Sequence, residues 1–447
     1  MYRILKRKWF RFVSDRKFSE ILVGSAWAMP ARVFGNGLGF ISSIIVAKFY
    51  GADIVGIIAV MNSFLMLTTL FTVMGTNTSI LRLIPEHIVK YSPTSSYKLY
   101  RKTLCMVIII SIIAGTLLFF SANLIATKLF HKPHLVFYFS LSAVFVVFKS
   151  LMLLNTQATR GLKLIRIFAL MQILPQSLNL TFLLVLGLMF PTSNVPVYAM
   201  LAGFTLSGIF GWIVIGHNFK KTMNKEDIVE HIATKELLSI SLPMLMSATA
   251  TFIIGQTGVI MLTIFRNEAE VGYYAIAVKL AALTALVISA VSTVAAPKFS
   301  ELFYSGKHDE LFHVARKSAK LAFLISCPIL AGLFILGRPV LVHVFGKEFI
   351  AAYPALLLLA FGQFVNSATG LSTTFMNMTG KQSAYKRIVI ATMIINISLN
   401  LLLIPKIGLL GAALTSMISI CFLNVVTAIY IKLKHGHSIW YLPFQAV

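Results

Sequence analysis

Acidic residues are scarce in this chain of 447 residues, in which 14 Asp and Glu stand against 39 Lys and Arg. Only 12% of the residues are charged, 58% are hydrophobic and the mean hydropathy is +0.86, which lies far outside the range of soluble proteins. The net charge of +25 would suggest nucleic acid for a soluble protein. Here the basic residues fall mostly between apolar runs, so nucleic acid is not an expected partner.

Cysteine and clustered histidine are also lacking. The three cysteines, Cys105, Cys327 and Cys421, each lie inside an apolar run, and their odd number and spacing do not suit a disulfide framework or a zinc site. The ten histidines are scattered, without the i,i+4 pair of a helical metal site. We therefore expect no metal and no cofactor.

Long uncharged runs are abundant, such as Leu104 to Ile125 and Ile388 to Ile404. Roughly 17–25 such residues cross the hydrocarbon core as a helix. The basic start, Met1 to Lys17, leads into a long span and lacks the features of a cleaved signal peptide. Hydropathy predicts about twelve spans, which begin near residues 20, 54, 103, 135, 164, 196, 237, 273, 317, 352, 384 and 409.

The loops between these spans differ in charge from one side to the other. With a cytoplasmic N-terminus, the inside segments hold 29 Lys and Arg and the outside loops hold seven. Because Lys and Arg in short loops resist translocation, this bias predicts that both termini are cytoplasmic.

The chain also repeats itself. The Pro30 and Gly56 landmarks of the first span recur at Pro243 and Gly272, and the tetrapeptide from Ser177 recurs from Ser398. Two halves of six spans explain the repeat, and an even number of spans gives the halves one orientation about an axis along the membrane normal. We predict an arm at 1–19, an N-lobe at 20–216, a cytoplasmic linker at 217–236, a C-lobe at 237–431 and a cytoplasmic tail at 432–447.

Motifs in the loops carry a resemblance to a known family. They comprise Phe49 to Gly56 with Gly75 and Arg82 to Pro85, then Glu270 to Ala275, Val344 to Phe349, and Asn396 to Pro405 followed by Gly408 and Gly411 to Ala413. In their order and spacing they resemble Wzx-type polysaccharide flippases, from about residue 20 to 430. This kinship implies the fold of the MOP superfamily, which also holds the MATE drug exporters and the lipid II flippases: an all-α membrane protein of two six-helix lobes.

The resemblance also implies a function. Such a protein moves an undecaprenyl-pyrophosphate-linked oligosaccharide, the repeat unit of an O-antigen, capsule or other surface polysaccharide, to the outer leaflet of the cytoplasmic membrane by alternating access. Its partners would be that lipid-linked oligosaccharide, membrane lipids and other polysaccharide assembly proteins, and it would not be an enzyme. The alternatives are a MATE-like exporter and a membrane glycan polymerase or ligase.

Three basic residues lie within predicted spans: Arg32, Lys149 and Lys279. A charge near the bilayer centre costs about 2.5–3.5 kcal/mol even on the mild insertion scale. All fourteen acids fall in predicted loops or span ends, so an anionic substrate is the natural partner of these cations. The lipid II flippases carry lumen-lining basic residues on their first and eighth helices, where Arg32 and Lys279 lie. Snorkelling and hydrogen bonding to a neighbouring carbonyl are the structural alternatives.

Polar side chains in the spans form stripes at helical spacing. They predict either a hydrated wall for sugar hydroxyls or hydrogen bonds between helices. The stripe residues are Asn36, which lies one turn from Arg32, with Gln172, Gln176, Asn179, Gln363, Asn366, Asn396 and Asn400.

The predicted orientation can be tested directly. Reporter fusions after Lys221 should score cytoplasmic and fusions after Pro191 periplasmic, because of the bias of 29 to seven basic residues. The reverse result at both sites would overturn the orientation.

Overall fold

The computed structural model describes residues 16–223 and 233–441. Most of the predicted basic arm and residues 442–447 of the predicted tail lie outside these ranges. In chain order the helices are α1 Arg16–Val73, α2 Thr76–Lys90, α3 Pro93–Leu124, α4 Leu135–Gly161, α5 Ile165–Met189, α6 Val195–Thr222, α7 Thr234–Phe265, α8 Glu268–Ala281, α9 Leu283–Tyr304, α10 His308–Val340, α11 Tyr353–Ala368, α12 Ser372–Met378 and α13 Gln382–His435.

Ten helical segments of the described chain are long and apolar enough to cross a membrane. Two are too long for one crossing, since 44 residues in Pro30–Val73 and 54 in Gln382–His435 would measure about 66 and 81 Å against a core of about 30 Å. Both are interrupted, at Gly51 and at Ile407 and Gly408, which gives twelve apolar segments in the described ranges. The prediction of an all-α membrane protein is confirmed.

Each interruption needs glycine and a cap. Gly51 and Gly408 have φ of 82° and 52°, in the left-handed region that favours glycine. The turn after each break starts with backbone N–H groups that lack an intrahelical acceptor. Carboxylates supply one, because Ala52 N donates to Glu348 Oε1 at 2.9 Å and Leu409 N donates to Glu270 Oε2 at 3.0 Å. A carboxylate at the positive end of a helix is also electrostatically favourable.

The segment after Gly51 crosses α8 at two glycines. A Cβ at Gly56 would overlap the carbonyl oxygen of Glu268, and a Cβ at Gly272 would overlap that of Ala52. The contact is reciprocal, because Ala52 and Gly56 are repeated 216 positions later as Glu268 and Gly272. Such reciprocity is the pattern of two elements related by a two-fold axis.

The described residues divide into two compact units. The first comprises residues up to Ser42, Val73–Ser111 and Val147–Ser241, and the second comprises Ser43–Thr72, Ile112–Val146 and the chain from Leu242 onward. The predicted lobe boundaries stay a prediction. Helix α6 ends at Thr222 and α7 begins at Thr234, so both helices run into the predicted linker.

Each unit has its own apolar core. In the first, Tyr100 and Phe219 pack with Ile84 and Leu154. In the second, Phe299, Phe312 and Phe375 form a buried aromatic group with Ile431 and Ile439.

The glycine crossing generates a stability prediction. Gly56→Ala or Gly272→Ala should lower the stability of the purified protein by about 1–3 kcal/mol, because the methyl group must displace the backbone of the facing helix. The measurement is the apparent melting temperature in detergent. Gly255→Ala is the matched control, since a Cβ there meets nothing within 4 Å. Equal melting temperatures for all three variants would contradict the close crossing.

Candidate substrate-binding site

Arg32 and Asn36 lie on an exposed side of α1, one turn apart. Gly35 and Gly39, each three residues on from Arg32 and Asn36, lie on the neighbouring face of the helix and are buried. A Cβ at Gly35 would lie 2.9 Å from the carbonyl oxygen of Gln172, and one at Gly39 would lie 3.0 Å from Oε1 of Gln176. The two glycines therefore let α1 approach α5 closely, and the exposed arginine lies beside that contact.

The α5 stripe lies at helix contacts on both sides. Gln172 and Gln176 border α1, whereas Asn179 lies next to Gly203 of α6, where a Cβ would be 3.2 Å from the asparagine backbone nitrogen. All three stripe side chains are partly buried. The polar residues of α5 thus occur where the helix is held between two neighbours.

Lys149 is buried between α4 and α6, with 8% of its surface exposed. Its Nζ lies 4.4 Å from the centre of the Phe204 ring, a cation–π geometry that partly offsets desolvation. About two turns further along α4, Asn155 accepts from Tyr100 at 2.8 Å and donates to the carbonyl of Gly208 at 3.1 Å. This network fixes α4 against α6 and so places the lysine.

Lys279 lies in the last turn of α8, whose final residue is Ala281. Its ammonium donates to the hydroxyl of Ser43 on α1. The negative end of the helix dipole favours a cation at this position. Sequence patterns placed this lysine inside one unbroken span, and the helix end between α8 and α9 was not visible in hydropathy.

The remaining stripes bond among themselves. Asn366 donates to Gln363 at 3.1 Å within α11. In α13, Asn396 donates to Ser419 at 3.0 Å and Asn400 donates to Asn396 at 3.1 Å, and both asparagines are fully buried. For this pair the contacts favour the hydrogen-bonding alternative over a hydrated wall.

The predicted site residues are shared between the two units. Arg32, Asn36, Lys149 and the α5 amides belong to the first, whereas Lys279 and the amides of α11 and α13 belong to the second. Phe204 and Ser43 are contact residues that sequence reasoning missed, because neither is marked by charge or by spacing. Within residues 16–223 and 233–441, no group of three or more His, Cys, Asp or Glu could hold a metal ion.

A family model described as "Polysaccharide biosynthesis protein" matches residues 45–354, well over half of the chain. The chain belongs to this family. The family and the membrane fold agree with the resemblance seen in the loop motifs.

Relatives of this family member are found in archaea and bacteria. A probable low-salt glycan biosynthesis flippase, Agl15 of Haloferax volcanii, is 25% identical over 239 residues, or 53% of this chain and 48% of the relative. The capsular polysaccharide biosynthesis protein CapF of Staphylococcus aureus is 30% identical over 188 residues, or 41% of this chain and 47% of the relative. The chain spans about half the length of the relatives it matches.

Solved structures show the fold of the family member. The lipid II flippase MurJ in an inward closed conformation superposes with a TM-score of 0.71 at 15% identity, covering 92% of this chain and 87% of that one. A multidrug resistance MATE transporter in an inward-facing conformation gives 0.69 at 14% identity, covering 91% and 98%. The chain therefore has the fold of MOP-superfamily transporters.

The packing of Lys149 predicts different contributions to stability from its apolar stem and from its ammonium charge, which two substitutions can separate. Lys149→Met should keep or raise the melting temperature, because the apolar stem stays and the buried charge is removed. Lys149→Ala should lower stability by about 0.5–3 kcal/mol through lost packing. Lys98→Met, at an exposed lysine, is the control. A large loss of stability in Lys149→Met would show that the fold itself needs the ammonium.

Proposed function

We propose that this protein is a flippase for a lipid-linked oligosaccharide. It moves the glycan carrier from the cytoplasmic to the outer leaflet of the cytoplasmic membrane by alternating access, with both termini in the cytoplasm. Family membership and a relative named as a glycan biosynthesis flippase support this proposal. The glycan is the repeat unit of a surface polysaccharide such as an O-antigen or capsule, carried on undecaprenyl pyrophosphate, and the protein would work beside other polysaccharide assembly proteins.

The observation that carries the proposal is the distribution of charge along the spans. Arg32, Lys149 and Lys279 lie within apolar segments of helices. Acids instead occur at helix ends, where Glu348 caps one break and Glu270 caps the other. A pathway whose interior charges are positive suits a diphosphate, which Arg grips bidentately and Lys meets as a point charge.

The same distribution weighs against a drug exporter. Export of cationic drugs coupled to protons or sodium calls for a carboxylate at mid-membrane, and the sequence places its fourteen acids in loops or span ends. The structural likeness to a MATE transporter concerns the fold alone.

Transport also suits the chain better than catalysis. A polymerase or ligase generally needs a sizeable outside loop and a general base or a metal-binding acid. The connections predicted to lie outside are short; for example, α5 ends at Met189 and α6 begins at Val195. We therefore propose a transporter that makes or breaks no covalent bond.

Substitutions at Arg32 test the anionic substrate. Arg32→Glu should abolish export, because it sets a negative charge against the diphosphate. Arg32→Lys should retain partial activity, because it keeps the positive charge but cannot make the bidentate contact of a guanidinium. Lys279→Ala should have a milder effect, since we expect Lys279 to lie nearer the outer interface, where water or head-group contacts can replace it. The measurement is surface glycan in a strain that lacks its own flippase.

The controls separate function from folding. Each variant must be quantified in the membrane, and Lys48→Glu, an exposed reversal on the same helix, should leave export intact. Full export by well-expressed Arg32→Glu and Lys149→Glu variants would contradict the anionic-substrate mechanism but not the fold.

A further inference from the structure

The last 99 residues of the chain carry positive charge without any acid. Residues 349–447 contain six Lys and Arg and two His, and no Asp or Glu. Several of these basic residues converge at one end of the second unit, where α9 ends, α10 begins and α13 ends. The predicted orientation accounts for the side of the membrane on which the lysines lie, but not for their convergence with histidines at one place.

Aromatic rings hold the histidines of this region in place. The rings of His435 and His437 lie 5.7 and 5.1 Å from the Phe312 ring. His308, at the start of α10, lies 5.7 Å from Phe303. The backbone just before Lys381 also reaches this end of the unit, since a Cβ at Gly380 would lie 4.0 Å from the hydroxyl of Tyr304.

Four basic residues act electrostatically on the His435 imidazole. Together with His435 they form what we call the C-terminal basic cluster: His308, Lys381, Lys434, His435 and His437. Nε2 of His435 is buried and has no hydrogen-bond partner in the described part of the chain. His308, Lys434 and His437 are exposed, so the cluster is open to a ligand.

Acids close by in sequence have partners of their own. Glu301 Oε1 accepts a hydrogen bond from Lys298 Nζ at 2.7 Å, and Glu310 Oε1 lies 3.4 Å from Lys307 Nζ. Asp309 follows His308 and is exposed to solvent. Two acids near the cluster are thus already paired with lysines outside it.

The chain from the end of α13 to Tyr441 is held in place by contacts with the second unit. Ile439 is 1% exposed within the aromatic core, Tyr441 N donates to the carbonyl of Ala368 at 2.9 Å, and Arg316 Nε donates to that of Ser438 at 2.9 Å. Lys432 lies 5.2 Å from the Trp440 ring. A cluster on such a scaffold is preorganised for binding.

We propose that the C-terminal basic cluster is a binding site for a phosphate group. Phosphate oxygens accept strong hydrogen bonds from ammonium and imidazole N–H groups, and the exposed His308, Lys434 and His437 supply such donors. Basic pockets at the ends of membrane helices suit lipid head groups, and Trp and Tyr, the residue types at positions 440 and 441, are enriched at membrane interfaces. The ligand is an anionic phospholipid head group or a free phosphate or diphosphate.

The experiment measures binding to the full-length protein in dodecyl maltoside, a detergent without phosphate. The melting temperature is followed while inorganic pyrophosphate is added in one arm and a short-chain phosphatidylglycerol in the other, with sodium sulfate at equal ionic strength as the reference. We expect stabilisation in at least one arm beyond that of sulfate. The arm that responds identifies whether the source is a free phosphate or a lipid.

Variants assign the binding to the cluster. Lys381→Gln and Lys434→Gln should each lower the affinity for the ligand about tenfold or more, seen as a higher ligand concentration needed for the same shift in melting temperature. This corresponds to the loss of one hydrogen bond to a charged group. Lys298→Gln and Lys307→Gln remove lysines at the same end that already pair with acids, and they should respond like the wild type. Since Lys434 is exposed, its substitution does not threaten the fold.

Two results would overturn the site. One is the absence of any response beyond sulfate in both arms, and the other is an equal loss in the cluster and control variants. Because binding is read without transport, failure here leaves the flippase proposal standing, and failure of the export test leaves this site standing.

Discussion

Hydrocarbon offers no hydrogen bonds, so every polar group in a span must be satisfied by the protein itself. The interruptions of α1 and α13 obey this constraint through carboxylates from distant segments, Glu348 and Glu270. The buried lysines obey it through a ring and a hydroxyl, since Lys149 faces Phe204 and Lys279 donates to Ser43. These polar contacts lie where helix segments meet and help to fix the segments against each other.

The start of α8 is the densest of these places. The carboxylate of Glu268 pairs with Lys132 at 3.1 Å and with His134 at 2.8 Å. The side chain of Asn267 accepts a hydrogen bond from the Glu270 N–H at 2.9 Å. Arg266 donates to the carbonyl of Pro405 at 3.1 Å. One helical turn thus joins the connection before α4, the break of α13 and the glycine crossing at Gly272. Acids serve structure at these ends, whereas the apolar segments carry Arg32, Lys149 and Lys279, whose part in transport is a proposal.

Sequence patterns predicted the apolar spans and the basic residues within them, because hydropathy and charge are read from neighbouring residues of the chain. Gly56 and Gly272, which the repeat pairs, each pack closely against the other's helix, and the superposition of the two halves stays a prediction. The partners were not predictable in the same way. Ser43 lies 236 positions from Lys279, and Ser419 lies 23 positions from Asn396, so no spacing rule identifies them. The end of α8 at Ala281 was hidden because the residues around it stay apolar.

The cap at Ala52 has a consequence for how the protein is made. Its acceptor, Glu348, is 296 residues further along the chain. At the usual rates of synthesis, about 5–20 residues per second, the amide is translated about 15–60 s before its carboxylate exists. During that interval water, lipid head groups or the insertion machinery must supply the hydrogen-bond acceptor for the Ala52 N–H. Biogenesis of the early helices is thus incomplete until the connection before α11 has left the ribosome.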